Sequence, residues 1–401
     1  MAGTANKSQD IPAPQLAQRH QPSGLNSTFL GEGLSFAEYI ALSQEMLRRA
    51  HTKLATPDIE KVIAGNMPFA LQIDTKDGIK KPYRRGILLT HGLSDSPYFM
   101  RHLADFFHQQ GFLVRAILLP GHGTQPGDLL DVTWQEWARA VAYGTDSLAQ
   151  QVDEIYLGGL STGATLSINQ SLNDERVQGL FLFSPALKIT PLAAFANAHK
   201  LYSYLVPGAK WVTIQPDTDL YKYESFPKNA AAQMHALTRV VHARLTTLHI
   251  PIFTVVSADD ATVRTAATLE FMANTAHPSS KVLQYSTTPT ALPATFPPHK
   301  IEQVNSVFPN QHIVSSSHLA IMLPASDTHY GSDGIYANCA HYYPQEIEKY
   351  SVCRTAADIS LGEITSENLH TGIIRRLMFN PNFSGMLVSM QRFIASLTDC
   401  K

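Results

Sequence analysis

The chain has 401 residues, 44% of them apolar and 16% charged, enough to bury one large core with an insertion or two ordinary domains. Its formal net charge is −2, and no run of Lys or Arg forms a phosphate-binding face, which argues against nucleic acid as a partner. It contains no apolar stretch of about 18 residues or more, so no membrane-spanning helix is expected.

Residues 1–27 are rich in Gln, Ala, Pro, Ser and Asn and lack the apolar run of a signal peptide. They read as a flexible tail. As written the chain is expected to be soluble and cytoplasmic, or exported if a leader has been removed. Residues 28–80 read as an N-terminal helical extension. Ser35-Phe-Ala-Glu38 has the capping-box spacing, and Phe36, Ile40, Ser43, Leu47, Ala50 and Leu54 follow one helical stripe.

A different grammar begins near residue 81. Short apolar runs at Gly86–Thr90, Phe112–Leu119, Glu154–Leu160 and Val177–Phe183 have the character of strands buried on both faces. Helical stretches at Tyr98–Gln110, Trp134–Gln151 and Gly163–Leu172 separate them. This alternation predicts parallel βαβ units, hence an α/β fold with a mostly parallel, doubly wound sheet whose first part covers residues 81–186.

Residues 187–249 interrupt the pattern with helical, Tyr- and Ala-rich sequence, expected to be a cap over the strand ends. Tyr202, Tyr204, Trp211, Tyr221 and Tyr223 there suit either an apolar surface facing substrate or plain core. The core resumes over residues 250–401 with a strand at Ile250–Val256 and a last strand at Val282–Tyr285. A Pro-rich loop at Thr287–Pro298 and a C-terminal extension follow. Cys339 and Cys353 are close enough in sequence to close a modest loop, although three thiols in a chain of this length are ordinarily unpaired.

Gly159-Leu160-Ser161-Thr162-Gly163 stands between an apolar strand and a helix-compatible run. This is the setting of a nucleophilic serine on a tight strand-to-helix turn. Serine is a weak nucleophile at neutral pH and needs a base oriented by a third group, here expected in the order acid, then histidine, after late strands. The strand ending at Val256 runs into Asp259-Asp260, and either carboxylate could serve, with Asp260 favoured. Of 17 histidines, His318 lies after the last strand at a loop-to-apolar junction and is the candidate base. Two backbone N–H groups should hold the oxyanion. Thr162, next after the serine, is one candidate, and Leu93, in the His91-Gly92-Leu93 turn after the first long strand, is the other.

With these residues in place, the chain resembles the monoacylglycerol lipase and carboxylesterase branch of the α/β-hydrolase superfamily, from about Gly86 to Pro185 and again from Ile250 to Ile321. Leu119-Pro-Gly-His122-Gly123 looks like the Gly-His-Gly turn of those enzymes, and Trp134 and Trp137 fall where bacterial carboxylesterases carry a tryptophan. Their Gly-x-x-Asp-x-x-Val acid motif maps onto residues 257–263, selecting Asp260, with Ser257 in place of the glycine. The resemblance implies a serine esterase or lipase acting on a small-molecule or lipid-like ester, without cofactor or metal. An acyltransferase or thioesterase with the same triad is the alternative, and a non-catalytic binding module a more distant one. It covers neither the first eighty residues nor the segment from Tyr330 onward.

Overall fold

Leu88 and the pair Ile87 and Leu89 exemplify how the sheet is built: alternate residues of one strand enter two different cores. The computed structural model describes residues 16–72, 83–188, 207–245, 247–274, 277–289 and 296–398. The strands are β1 (Phe69–Leu71), β2 (Arg85–Thr90), β3 (Phe112–Ile117), β4 (Glu154–Leu160) and β5 (Val177–Phe183). A short ribbon follows, of β6 (Trp211–Thr213) and β7 (Phe226–Pro227), and then β8 (Ile252–Ser257), β9 (Lys281–Ser286) and β10 (Ile301–Asn305). Eight of them form one sheet in the order β1-β3-β2-β4-β5-β8-β9-β10. Within that sheet, among the described residues, only β1 runs antiparallel to its neighbour.

The helices are α1 (Phe36–Lys53), α2 (Ile59–Asn66), α3 (Arg101–Gln109), α4 (Trp134–Ala149), α5 (Thr162–Ser171), α6 (Lys228–Arg244), α7 (Thr265–Asn274), α8 (Ile347–Thr355), α9 (Ser366–His370) and α10 (Phe383–Thr398). On one face of the sheet α4, α5, α6 and α7 pack on Leu88, Leu157, Leu180, Leu182 and Val256. On the other, α3 and α10 pack on Ile87, Leu89, Phe181, Phe183 and Val255. Both faces are covered, which is why the central strands read as continuous apolar runs. None of the described helices is long and apolar enough to cross a membrane.

The capping box forms as its spacing predicts: Ser35 Oγ accepts from Glu38 N–H at 3.3 Å, and Glu38 Oε2 accepts from Ser35 N–H at 2.8 Å. Other expectations need correction. The extension expected to be helical also supplies β1, an edge strand too short to show alternation. Val282–Tyr285 is not the last strand, since β10 pairs in parallel beyond it; its polar residues Glu302, Gln303 and Asn305 suit an edge and hide it from a search for apolar runs. Residues 1–15 lie outside the described residues, but the second part of the expected tail is packed. Ser23 N–H and Oγ donate to Asp128, and Asn26 Nδ2 donates to His122 O at 2.7 Å. Its polar residues bond the core, which composition cannot distinguish from solvation.

Cys339 and Cys353, read as ordinarily unpaired, form a disulfide with Cα atoms 6.0 Å apart. It braces a C-terminal unit in which β11 (Ser360–Gly362) pairs in parallel with β12 (Ile374–Arg376). Cys400 lies outside the described residues.

Candidate active site

Ser161 separates β4 from α5 with φ 52° and ψ −106°. That is a costly backbone for a residue with a Cβ. Its N–H donates to Phe183 O at 2.8 Å, and its carbonyl accepts from Thr165 N–H at 3.1 Å, so β5 and α5 hold the turn from both sides. The flanking glycines are there because backbone passes too close for a side chain. A Cβ on Gly159 would lie 2.7 Å from Ala164 N, and one on Gly163 would lie 2.6 Å from His91 O and nearer still to Thr90 O.

β8 lies one strand beyond β5 in the sheet, and the loop that follows it carries the candidate acid. Asp260 Oδ1 accepts from Thr262 N–H at 2.8 Å and Val263 N–H at 2.9 Å, which fixes the carboxylate and accounts for the spacing to Val263. Asp260 Oδ2 meets His318 Nδ1 at 2.7 Å. The two groups lie 58 residues apart in sequence, and both side chains are almost wholly buried. Burial pushes the Asp260 carboxyl up, but His318 and the hydrogen bonds outweigh it and leave its pKa below the usual value. Asp259 turns away to Ser306 Oγ at 2.9 Å and Thr287 Oγ1 at 3.2 Å. With Nδ1 engaged by Asp260, His318 Nε2 has no partner among the described residues. The His318 N–H donates to Glu363 Oε2 at 3.0 Å.

Thr162 opens α5, where the first N–H groups of a helix have no intrahelical acceptor. Leu93 lies in the turn after β2. Among the described residues, neither Thr162 N–H nor Leu93 N–H meets an acceptor.

Two buried histidines shape the Leu93 turn. His91 Nε2 accepts from Leu119 N–H at 3.0 Å while its Nδ1 meets Gly92 O at 2.8 Å. His122 Nε2 accepts from Ser94 N–H at 3.0 Å while its Nδ1 meets Pro120 O at 3.0 Å. Each ring therefore carries its proton on Nδ1 and is neutral. Burial pushes the His122 pKa down to about 4 and that of His91 well below its ordinary value. Trp137 Nε1 donates to the same Pro120 carbonyl at 3.0 Å. The Gly-His-Gly turn and the tryptophan thus act together to fix the backbone on both sides of Leu93. Their motif was legible; this job was not.

The segment between β6 and β7 adds partners that no spacing foretold. Tyr223 N–H donates to Ser94 O at 2.8 Å, and Lys222 Nζ reaches Ser94 Oγ at 2.8 Å and Asp95 Oδ1 at 2.5 Å. Trp211 packs edge-on against His20, and Tyr221 stacks on Tyr98 with centroids 3.9 Å apart. Both are buried, as the plain-core reading of these aromatic residues expects. Tyr202 and Tyr204 lie outside the described residues. Among the described residues no group of three or more His, Cys, Asp or Glu is placed to hold a metal ion.

Residues 81–288, more than half of the chain, match the family described as serine aminopeptidase, S33. The chain belongs to this family. It is 30% identical over 179 residues, 44% of this chain and 71% of the relative, to a thermostable monoacylglycerol lipase of Bacillus sp. (strain H-257). It is 21% identical over 189 residues to a carboxylesterase of Bacillus subtilis (strain 168), across 45% of this chain and 74% of that enzyme. Among solved structures, a metagenome-derived lipolytic enzyme superposes with a TM-score of 0.45 at 22% identity, over 60% of this chain and 87% of that one.

Proposed function

We propose that this family member is a carboxylic ester hydrolase working through an acyl-enzyme on Ser161. The observations that carry the assignment are the Asp260–His318 hydrogen bond after β8 and the strained turn that bears Ser161 after β4. His318 Nε2 takes the Ser161 proton as Oγ attacks the ester carbonyl. Asp260 holds the imidazole by Nδ1 and stabilises its charged form. Leu93 and Thr162 N–H groups receive the developing oxyanion, His318 protonates the leaving alcohol, and water activated by the same ring releases the acid. Each mechanistic group is a side chain or backbone amide of this chain, and no cofactor is invoked.

The names of the two Bacillus relatives, a monoacylglycerol lipase and a carboxylesterase, support a lipid-like or small ester substrate of the monoacylglycerol type. Residues 187–249 are then the cap, with α6 anchored to the nucleophile turn where Thr162 Oγ1 meets Met234 Sδ at 3.1 Å. The test is hydrolysis of p-nitrophenyl esters from acetyl to palmitoyl by the wild type and Ser161→Ala. Turnover in the wild type and its loss in a folded Ser161→Ala support the reading; full activity in the variant refutes it. Thioester and added-alcohol reactions in the same assay separate hydrolysis from acyl transfer.

A further inference from the structure

Outside the family match, one buried carboxylate touches the backbones of both the acid loop and the base loop. Glu363 follows β11 directly and is 0% exposed. Its Oε2 accepts from His318 N–H at 3.0 Å and, more weakly, from Ala261 N–H at 3.4 Å, the residue after Asp260. Its Oε1 accepts from Arg376 Nη2 at 2.7 Å and Nε at 3.0 Å and from Ile364 N–H at 2.8 Å. A buried carboxylate is tolerated only when paired and hydrogen-bonded, and here both conditions are met.

The rest of the C-terminal unit reinforces the same segment. Leu361 N–H donates to His312 O at 2.8 Å, and Val314 N–H donates to Leu361 O at 2.9 Å. Glu363 N–H donates to Ser315 Oγ at 2.9 Å, and Ser317 Oγ donates to Leu377 O at 2.5 Å. The chain from His312 to Ser315 therefore lies beside β11 through a parallel bridge at Ile313 and Leu361, and Ser317 ties the next turn to Leu377. β12 supplies Arg376 opposite, and the disulfide half Cys353 accepts from Arg375 through its carbonyl at 2.9 Å.

We propose that Glu363 is a positioning residue for the triad: through His318 N–H and Ala261 N–H it sets the separation of base and acid, and the C-terminal extension exists in part to present it. The proposal rests on the assignment of Ser161, His318 and Asp260 above. It does not place Glu363 in contact with substrate. A carboxylate suits the position because one oxygen receives both loop amides while the other is neutralised by Arg376.

The test compares two double variants that both remove the ion pair. Glu363→Gln with Arg376→Met keeps an amide oxygen for His318 N–H; Glu363→Leu with Arg376→Met does not. Steady-state kinetics on the best p-nitrophenyl ester, well below each variant's Tm, and the rate of fluorophosphonate labelling of Ser161 are the readouts. The leucine variant is expected to lose about 10²-fold in kcat and in labelling rate, the scale of an ångström's misplacement, with KM changed less than about threefold. The glutamine variant is expected to recover most of that loss. Should the leucine variant fail to fold, Glu363→Asp keeps the charge pair and withdraws the acceptor by one methylene, and its kcat should fall about tenfold with KM retained. Wild-type kcat and labelling in Glu363→Asp and in whichever double variants fold would overturn the proposal, as would equal losses in the glutamine and leucine variants that follow Tm alone. Ser161→Ala run alongside keeps the two questions apart: if it stays active, the site assignment itself fails; if it is dead while the Glu363 variants are normal, only this inference does.

Discussion

Gly163→Ala adds a single methyl where α5 crosses the end of β2. The new Cβ would stand 2.6 Å from His91 O, 2.7 Å from Thr90 C and closer again to Thr90 O, all backbone atoms of the strand leading into the Leu93 turn. Ordinary contact begins at 3.4 Å, so helix and strand must separate by roughly an ångström, and no flexible side chain is available to absorb it. Overpacking of this kind costs about 1–3 kcal/mol, roughly 1–4 °C in Tm for a chain of this size. The catalytic cost is larger, because the displacement moves Thr162 N–H away from Leu93 N–H, the two donors assigned to the oxyanion. An ångström of misplacement lowers kcat by about 10²-fold, about 2.7 kcal/mol of transition-state stabilisation. Ester hydrolysis and thermal unfolding are measured on Gly163→Ala beside Gly208→Ala, where an added Cβ meets nothing within 4 Å. Wild-type kcat in a stable Gly163→Ala would show that the close approach is not what sets the oxyanion geometry.

The two neighbouring carboxylates should separate cleanly. Asp260→Asn is expected to lower kcat by about 10⁴-fold by disturbing the His318 tautomer, while Asp259→Asn, which alters contacts with Ser306, Thr287 and the Ser316 backbone but not the His318 ring, should stay within a few-fold of wild type; the reverse ranking would reassign the acid. Acid should destabilise the fold through His122. Its folded pKa of about 4 is below the ordinary value of 6.5, so the unfolded chain binds the extra proton between those values. The stabilisation is complete above about pH 6.5 and is lost at about 1.4 kcal/mol per pH unit as pH falls toward 4. His122→Gln can still accept from Ser94 N–H but cannot titrate, so urea unfolding across this range should show a slope reduced by about one proton. An unchanged slope would mean that the ring is not held neutral.

Local chemistry made the central part of the molecule readable. Ser161 stood out because a strained elbow demands glycines two residues to either side, and that demand is written in five consecutive letters. Asp260 was separable from Asp259 only through the resemblance, whose acid motif ends on a valine three residues on; the structure supplies a reason for that spacing, since Val263 N–H reaches back to Asp260 Oδ1. β2 to β5 were visible because strands covered on both faces leave no polar alternation to confuse them. β1 and β10 were not, since a three-residue edge strand has no period and a polar edge strand has no apolar run.

What the sequence determined by itself, then, were features encoded over a few residues: the capping box of α1, the central strands and their helices, the serine turn, and the candidates for acid and base. Tertiary structure alone decided that residues 16–27 pack as a strap and that Cys339 pairs with Cys353. It also decided that Lys222 grips the turn bearing Leu93 and that Glu363 reaches the loops of both His318 and Asp260. These contacts join residues 14 to 128 positions apart. Such a buried polar contact satisfies two groups at once without imposing a repeat on either stretch of chain, so neither stretch alone discloses its partner.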